Sequence, residues 1–302
     1  LPAASRDADD PTLNQENPMQ KQTLAARGTL AAVVATSTAF VATASAAPVA
    51  SYYFQDTLAA NEAGVPTLVA VDQTGANAFV TATVPTNFTV DPQPTTSQTV
   101  YRFDGAAGPN NNAGLILPDA GDLLTSSNTY TLELVYRFDS LEDFPKIVNF
   151  SELNNNSGIY ADDLNGTRNI VNIYLEDDTG TFLNDASPDG PAAGEFASLV
   201  ITSDGGLLDL YLNGALVSDD FNPQGFFQID SGEDLTFFLD SFAQALFFSS
   251  GEVAKIALYD STLSDTEISD LASAPFAAIP EPASAAVLVP STLLLLRRRL
   301  RG

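Results

Sequence analysis

The 302-residue chain has no cysteine, no histidine and no tryptophan, and only one methionine. The first two absences rule out a disulfide framework, zinc held by those residues, a haem on a His or Cys ligand, and Ser-His-Asp or Cys-His nucleophilic sites. Positive charge is also scarce: 12 Lys+Arg face 38 Asp+Glu, a formal net charge of −26. Such a surface repels phosphate, so no nucleic-acid partner is expected. The lack of Trp removes the commonest sugar-stacking platform and leaves nine Tyr and 19 Phe for that role. What the chain does have is 45% hydrophobic and 17% charged residues, enough apolar material for a sizeable core.

The charge is unevenly placed. Residues 1–46 hold Arg6, Lys21 and Arg27 against four acids, and residues 280–302 hold four arginines against Glu281. The segment between them therefore carries −28. Starting at Met19, a basic stub leads into an apolar run from Gly28 to Ala44 and then Ala44-Ser45-Ala46. These are the three parts of a secretory signal peptide, with cleavage expected at Ala44 and Ala46. Residues 19–46 are thus read as the signal peptide, and residues 1–18, which are polar and acidic, as a non-native upstream extension. At the other end, after a linker at 275–279, stand Pro280-Glu281-Pro282, an apolar run from Ala283 to Leu296, and Arg297, Arg298, Arg299 and Arg301. Fourteen helical residues reach roughly 21 Å, short of the roughly 30 Å hydrocarbon core. The tail suits transient membrane insertion, with the arginines on the cytoplasmic side. It resembles the PEP-CTERM sorting signal, with Pro280, Glu281 and Pro282 as the motif and the arginines as the basic stop-transfer end; Pro290 inside the apolar run departs from a straight helix. The resemblance implies export across the inner membrane of a Gram-negative bacterium, signal peptidase and exosortase as partners, and delivery to the cell surface or extracellular matrix.

Residues 47–274 are read as one domain. Alternation is strongest in Tyr130 to Phe138, where Tyr130, Leu132, Leu134, Tyr136 and Phe138 share one face and Thr131, Glu133 and Arg137 the other. That pattern predicts a half-buried strand. Similar runs fall at 51–57, 78–83, 100–104, 146–151, 169–176, 196–202, 207–212, 235–240 and 252–259. Turn signals such as Asp204-Gly205-Gly206 and Asn213-Gly214 separate them, the latter suited to a type I′ hairpin. The Pro- and Thr-rich stretch from Pro85 to Thr99 reads as a long surface connection. One helix is predicted, Asp265 to Ser273, with Ser264 as cap and Glu267 as its capping-box partner. Many short strands and one helix specify an all-β, antiparallel β-sandwich.

The hairpin Leu208 to Val217, the stretch Gly251 to Asp260 and the following Leu263-Ser264-Asp265-Thr266-Glu267-Ile268 resemble the later strands and closing helix of laminin-G-like, concanavalin A-like jelly rolls. The resemblance spans most of residues 49–273. It implies a jelly roll, in a family that holds lectins, adhesion modules and glycoside hydrolases alike. A retaining hydrolase needs two carboxylates about 5 Å apart, in one branch on a Glu-x-Asp-x-x-Glu strand. No such triplet occurs, and no enzyme activity is expected. Calcium is the one candidate cofactor, implied by the family and by acidic clusters at Asp162-Asp163, Asp177-Asp178 and Asp230 to Asp234, none of which has the spacing of a calcium loop. A run of phenylalanines includes Phe237-Phe238, of which one ring should enter the core and the other cover an edge or the concave face. The expected function is an exported surface or matrix protein with a lectin-like domain binding extracellular polysaccharide. The alternatives are a structural or adhesive biofilm-matrix protein without a small-ligand site, and a diverged polysaccharide hydrolase or lyase.

Overall fold

In the computed structural model the alternating segments pair into two antiparallel sheets. The structure describes residues 46–106, 111–142, 145–150, 158–163, 169–176, 182–186, 190–222, 225–239 and 249–277, all within one unit spanning Ala44–Gly302. The strands are β1 (Ala50–Tyr52), β2 (Val69–Asp72), β3 (Ala78–Pro85), β4 (Thr95–Asp104), β5 (Ala113–Leu117), β6 (Tyr130–Phe138), β7 (Lys146–Asn149) and β8 (Gly158–Asp163). They continue with β9 (Asn169–Glu176), β10 (Phe182–Ala186), β11 (Ala197–Asp204), β12 (Leu207–Leu212), β13 (Ala215–Phe221), β14 (Leu235–Phe237) and β15 (Ser250–Tyr259), and α1 (Asp265–Ser273) closes the series. The first sheet runs β13-β12-β11-β6-β15-β4-β3, with β1 also paired to β15; the second runs β10-β9-β8-β7-β14-β5-β2.

The inner faces of the two sheets make the main core. Leu132, Leu134, Tyr136 and Phe138 of β6 lie in one apolar cluster with Leu115, Ile147, Ile159, Ile173 and Phe237 of the second sheet. Period-two alternation puts these side chains on a single face of each strand. The outer face of the first sheet is roofed as well. Ile268 and Leu271 of α1 pack on Val200, Tyr211, Ala257 and Tyr259, while Phe88 and Phe196 cover Val135. Burying Ile268 and Leu271 stabilises the roof by roughly 1.5–3 kcal/mol each. The capping box of α1 is formed as its sequence requires, with Ser264 Oγ accepting from the Glu267 amide and Glu267 accepting from the Ser264 amide at 2.9 Å.

Four expectations are corrected. Strand β6 is buried on both faces, Thr131 and Glu133 included, because it is central in its sheet and lies under the roof. The connection from Pro85 to Thr99 is shorter than expected: β4 begins at Thr95, and eight consecutive residues of β3 pair with β4. Polar threonines there continue a strand because they lie beside an edge exposed to water. Strands β2, β5, β8 and β10 also form where the sequence shows no alternating run, and the acidic pair Asp162-Asp163 ends β8. Finally, both Phe237 and Phe238 enter the main core. Phe238 sits at φ 62°, which ends the strand and turns its ring back to stack on Phe103, centroids 4.2 Å apart.

Candidate functional site

The β3–β4 connection is shaped by local side chain to backbone bonds. Asn87 Oδ1 accepts from the Thr89 amide at 2.8 Å, an Asx turn, and the Thr86 amide donates to the Pro94 carbonyl at 2.8 Å. Phe88, between them, is buried on the outer face of the first sheet, and its amide donates to the Ala272 carbonyl at the end of α1. The connection therefore stands as a fixed wall. Facing it is the segment that leads into β11. The Gly194 amide donates to the Phe138 carbonyl at 2.7 Å, Arg137 Nη1 donates to the Gly194 carbonyl at 3.3 Å, and the Arg137 guanidinium lies 5.2 Å from the Phe196 ring centroid.

Between these walls runs a groove of about 710 Å³, with Arg137, Leu212 and Asn213 contributing to its lining. Its rims carry Thr89, Asp91, Pro92 and Gln93 on one side and Gly190, Pro191 and Glu195 on the other. Hydroxyl, amide and carboxylate groups stand there beside apolar surface from Val90, Pro92 and Pro191. Such a mixture orients a polar ligand by hydrogen bonds while apolar faces exclude water.

Arg137 is not free to bind an anion. Its Nε and Nη2 fork onto Glu252 Oε2 and Oε1 at 2.9 and 2.8 Å. Arg102 is held by Asp139 at 2.7 Å and lies 3.6 Å from Glu252. Deeper under the roof, Lys255 Nζ donates to Glu133 Oε1 at 2.8 Å and to the Pro275 carbonyl at 2.7 Å, and Tyr259 donates to Glu133 Oε2 at 3.0 Å. Burial, reinforced by the Glu133 charge, pushes the Tyr259 phenol well up. Burial and the same carboxylate raise Tyr53 to about 12.

The residues singled out from sequence fall elsewhere. Asp162 and Asp163 are the last two residues of β8, opposite Ile170 and Asn169 of β9; Asp177 and Asp178 lie outside the described residues. In the Asp230 to Asp234 turn, the carboxylates satisfy backbone groups: Asp234 accepts from the Asp119 amide and Glu233 from the Asp230 amide. Among the described residues no three acidic side chains converge on a point that could hold a metal ion. Ala46 is described, its amide donating to Glu267 at 3.4 Å. Ala44, Pro280, Glu281, Pro282, Arg297, Arg298, Arg299 and Arg301 lie outside the described residues. No helix among the described residues is long and apolar enough to cross a membrane. The groove is not legible in the sequence because its two walls are about a hundred residues apart in the chain; the Pro- and Thr-rich composition of one wall is its one local trace.

Two stacked antiparallel sheets with a roofed outer face define a jelly-roll sandwich. Residues 109–269, more than half of the chain, match the model of the concanavalin A-like lectin/glucanases superfamily, and the chain belongs to that family. No curated protein matches it. Among solved structures it is similar to domain 4 of AbnA, a GH43 extracellular arabinanase from Geobacillus stearothermophilus, in complex with arabinotriose. The identity is 14%, the TM-score 0.50, and the match covers 76% of this chain and 99% of that one. It is also similar to the binding domain of botulinum neurotoxin serotype G, at 15% identity and a TM-score of 0.48, over 75% of this chain and 50% of that one. The binding domain of Paraclostridial Mosquitocidal Protein 1 matches at 14% identity and a TM-score of 0.49, over 74% and 51%. The chain thus spans about half the length of the two toxin domains, and at these identities the likeness is one of fold.

Proposed function

We propose that the chain is an exported binding protein of the cell surface or extracellular matrix, whose groove between the β3–β4 connection and the segment before β11 holds an uncharged glycan. The observation that carries this reading is the groove itself: a fixed, open cleft of about 710 Å³ with hydroxyl and amide groups on its rims. Charge selects the ligand class. Among the described residues, Arg102, Arg137 and Lys255 are already neutralised by Asp139, Glu252 and Glu133, and Lys146 lies against the Tyr160 ring. With the −28 of the segment between leader and tail around it, a sulfated or uronic polymer is repelled, whereas a neutral sugar pays no such penalty.

Binding rather than catalysis fits the same geometry. Glu133, the carboxylate on the long central strand, is fully buried and tied to Lys255 and Tyr259, out of reach of any substrate. The proposed route to the surface is signal-peptide cleavage at Ala44-Ser45-Ala46, transient membrane insertion of the tail, and exosortase processing at Pro280-Glu281-Pro282.

The ligand assignment is tested by calorimetric titration with a panel of neutral and acidic oligosaccharides, arabinotriose among them. Binding of a neutral member, weakened at least tenfold when Gln93→Ala and Thr89→Ala are combined, is the expected result, since two polar contacts are each worth about 1 kcal/mol. Binding of acidic members alone, or of none, rejects it. The sorting claim is tested separately, by replacing Pro280 and Glu281 with alanine and following the size and location of the chain in an exosortase-bearing host; unchanged processing rejects that part.

A further inference from the structure

Glu133 and Lys255 are 0% and 1% exposed, on neighbouring central strands of the first sheet. They are not direct partners in the ladder. Glu133 of β6 stands opposite Ala257 of β15, and Lys255 opposite Val135, so the pair is diagonal and bridged by the long lysine side chain. Val135, Ala254, Ala257 and Val200 belong to the buried apolar clusters of the same roofed face.

The position of the lysine nitrogen gives the pair a chemical meaning. Lys255 Nζ lies 2.8 Å from Glu133 Oε1 and also 2.8 Å from Oε2. A point that close to both oxygens is about 3 Å from the carbon that carries them, and reacting atoms about 3–3.5 Å apart form a near-attack arrangement. The Pro275 carbonyl accepts from the same nitrogen at 2.7 Å, the Tyr53 ring centroid lies 5.6 Å from it, and the Tyr259 hydroxyl donates to Oε2 at 3.0 Å. A nucleophile, an electrophilic carbon and a proton donor on one carboxyl oxygen are thus held together away from water.

We propose that Lys255 and Glu133 become joined by an amide bond between Nζ and the Glu133 carboxyl carbon, an intramolecular cross-link of β6 to β15. Burial disfavours the two charged forms, so a proton passes from the ammonium to the carboxylate. The freed lone pair of Nζ attacks the carbon; the C–N bond forms and the bond from carbon to Oε2 breaks. Oε2 leaves as water, carrying the proton already transferred and a second one from the attacking nitrogen, relayed by the Tyr259 hydroxyl. One ammonium and one carboxylate become one amide and one water, with no oxidant, reductant or added reagent. The remaining N–H keeps the Pro275 carbonyl as its acceptor. In water the separated ions are favoured by their solvation, and at this site that solvation is missing. Until the bond forms, the two residues hold the strands as an ion pair. The linked positions are 122 apart, so in a chain without cysteine the amide constrains the unfolded state as a disulfide would. The bond does not depend on what the groove holds.

Mass spectrometry of the full chain under denaturing conditions tests the proposal. The expected mass is one water, about 18 Da, below that calculated from the sequence between its observed termini. Proteolysis should then release a branched peptide joining the segment that holds Lys255 to the segment that holds Glu133. Lys255→Arg keeps a cation beside Glu133 but supplies no amine that can be deprotonated, and should show its full calculated mass with an unchanged circular dichroism spectrum. Tyr259→Phe removes the proton relay and should slow the loss of water at least tenfold after folding. If these variants do not fold, the branched peptide from the unaltered chain decides alone. A folded chain that keeps its full mass through prolonged incubation at neutral pH overturns the proposal. So does one that loses water without giving the branched peptide, as a succinimide at Asp204-Gly205 would.

Discussion

Glu133 and Lys255 place two opposite charges where no water reaches them, on neighbouring strands at the centre of the first sheet. Removing ions from water costs several kcal/mol each, and only mutual attraction together with the bonds from Tyr259 and to Pro275 offsets it. Lys255→Met leaves the carboxylate buried without its cation and is expected to cost about 3–5 kcal/mol in urea denaturation. Glu133→Gln combined with Lys255→Met keeps the Tyr259 bond without a bare charge and should recover most of that loss. The buried phenols give a pH prediction. Burial raises Tyr130, Tyr136 and Tyr259 above the ordinary tyrosine value of 10.0. Their neutral forms hold more protons in the folded than in the unfolded chain, so stability is intact below pH 10 and falls as pH rises beyond it. Phenolate absorbance should therefore appear together with loss of the folded circular dichroism signal, rather than residue by residue. None of this was legible in the sequence. Alternation marked Glu133 as facing away from the core, but its partner lies 122 positions away and the roof over both is assembled from other segments.

At the scale of elements, local chemistry was the most readable. Helix α1 begins and ends where its cap and its apolar positions place it, because a capping box is settled within four residues. Ser264→Ala should lower stability by about 1 kcal/mol, measurable as a shift in urea midpoint. Glu267 is held below the usual carboxylate range chiefly by the Ser264 amide, so this share of stability is present at neutral pH and is lost as pH falls through its depressed value. The Asn213-Gly214 turn was legible for the same reason: both residues adopt positive φ, 52° and 82°. Gly214 has a second constraint the sequence did not show, since a Cβ there would meet the Ala272 side chain at 2.9 Å and Thr89 at 3.4 Å. Gly214→Ala should cost about 1 kcal/mol or more and disturb the contact between the turn, α1 and the groove wall; Gly64→Ala, at φ 85° but with open space around it, should show the backbone cost alone. Strands such as β8 and β10 were harder to read, because Asp and Asn weaken the alternating signal and their pairing partners, rather than their own composition, make them strands.

For the whole molecule, the family and the sandwich were readable because many weak signals, hairpins, spacing and one helix, agreed with one another. The site was not, because a groove is a property of the packed sheet and its walls. One feature of the fold bears on mechanics. The carbonyl of Pro275 accepts from Lys255, so the chain leaving the domain is fastened to β15, a strand flanked by β6 on one side and by β4 and β1 on the other. Tension applied through the C-terminal end is thus delivered to the middle of the sheet, where several ladders share the load, and not to an edge that could be peeled strand by strand. A domain tethered by that end would hold its shape under load.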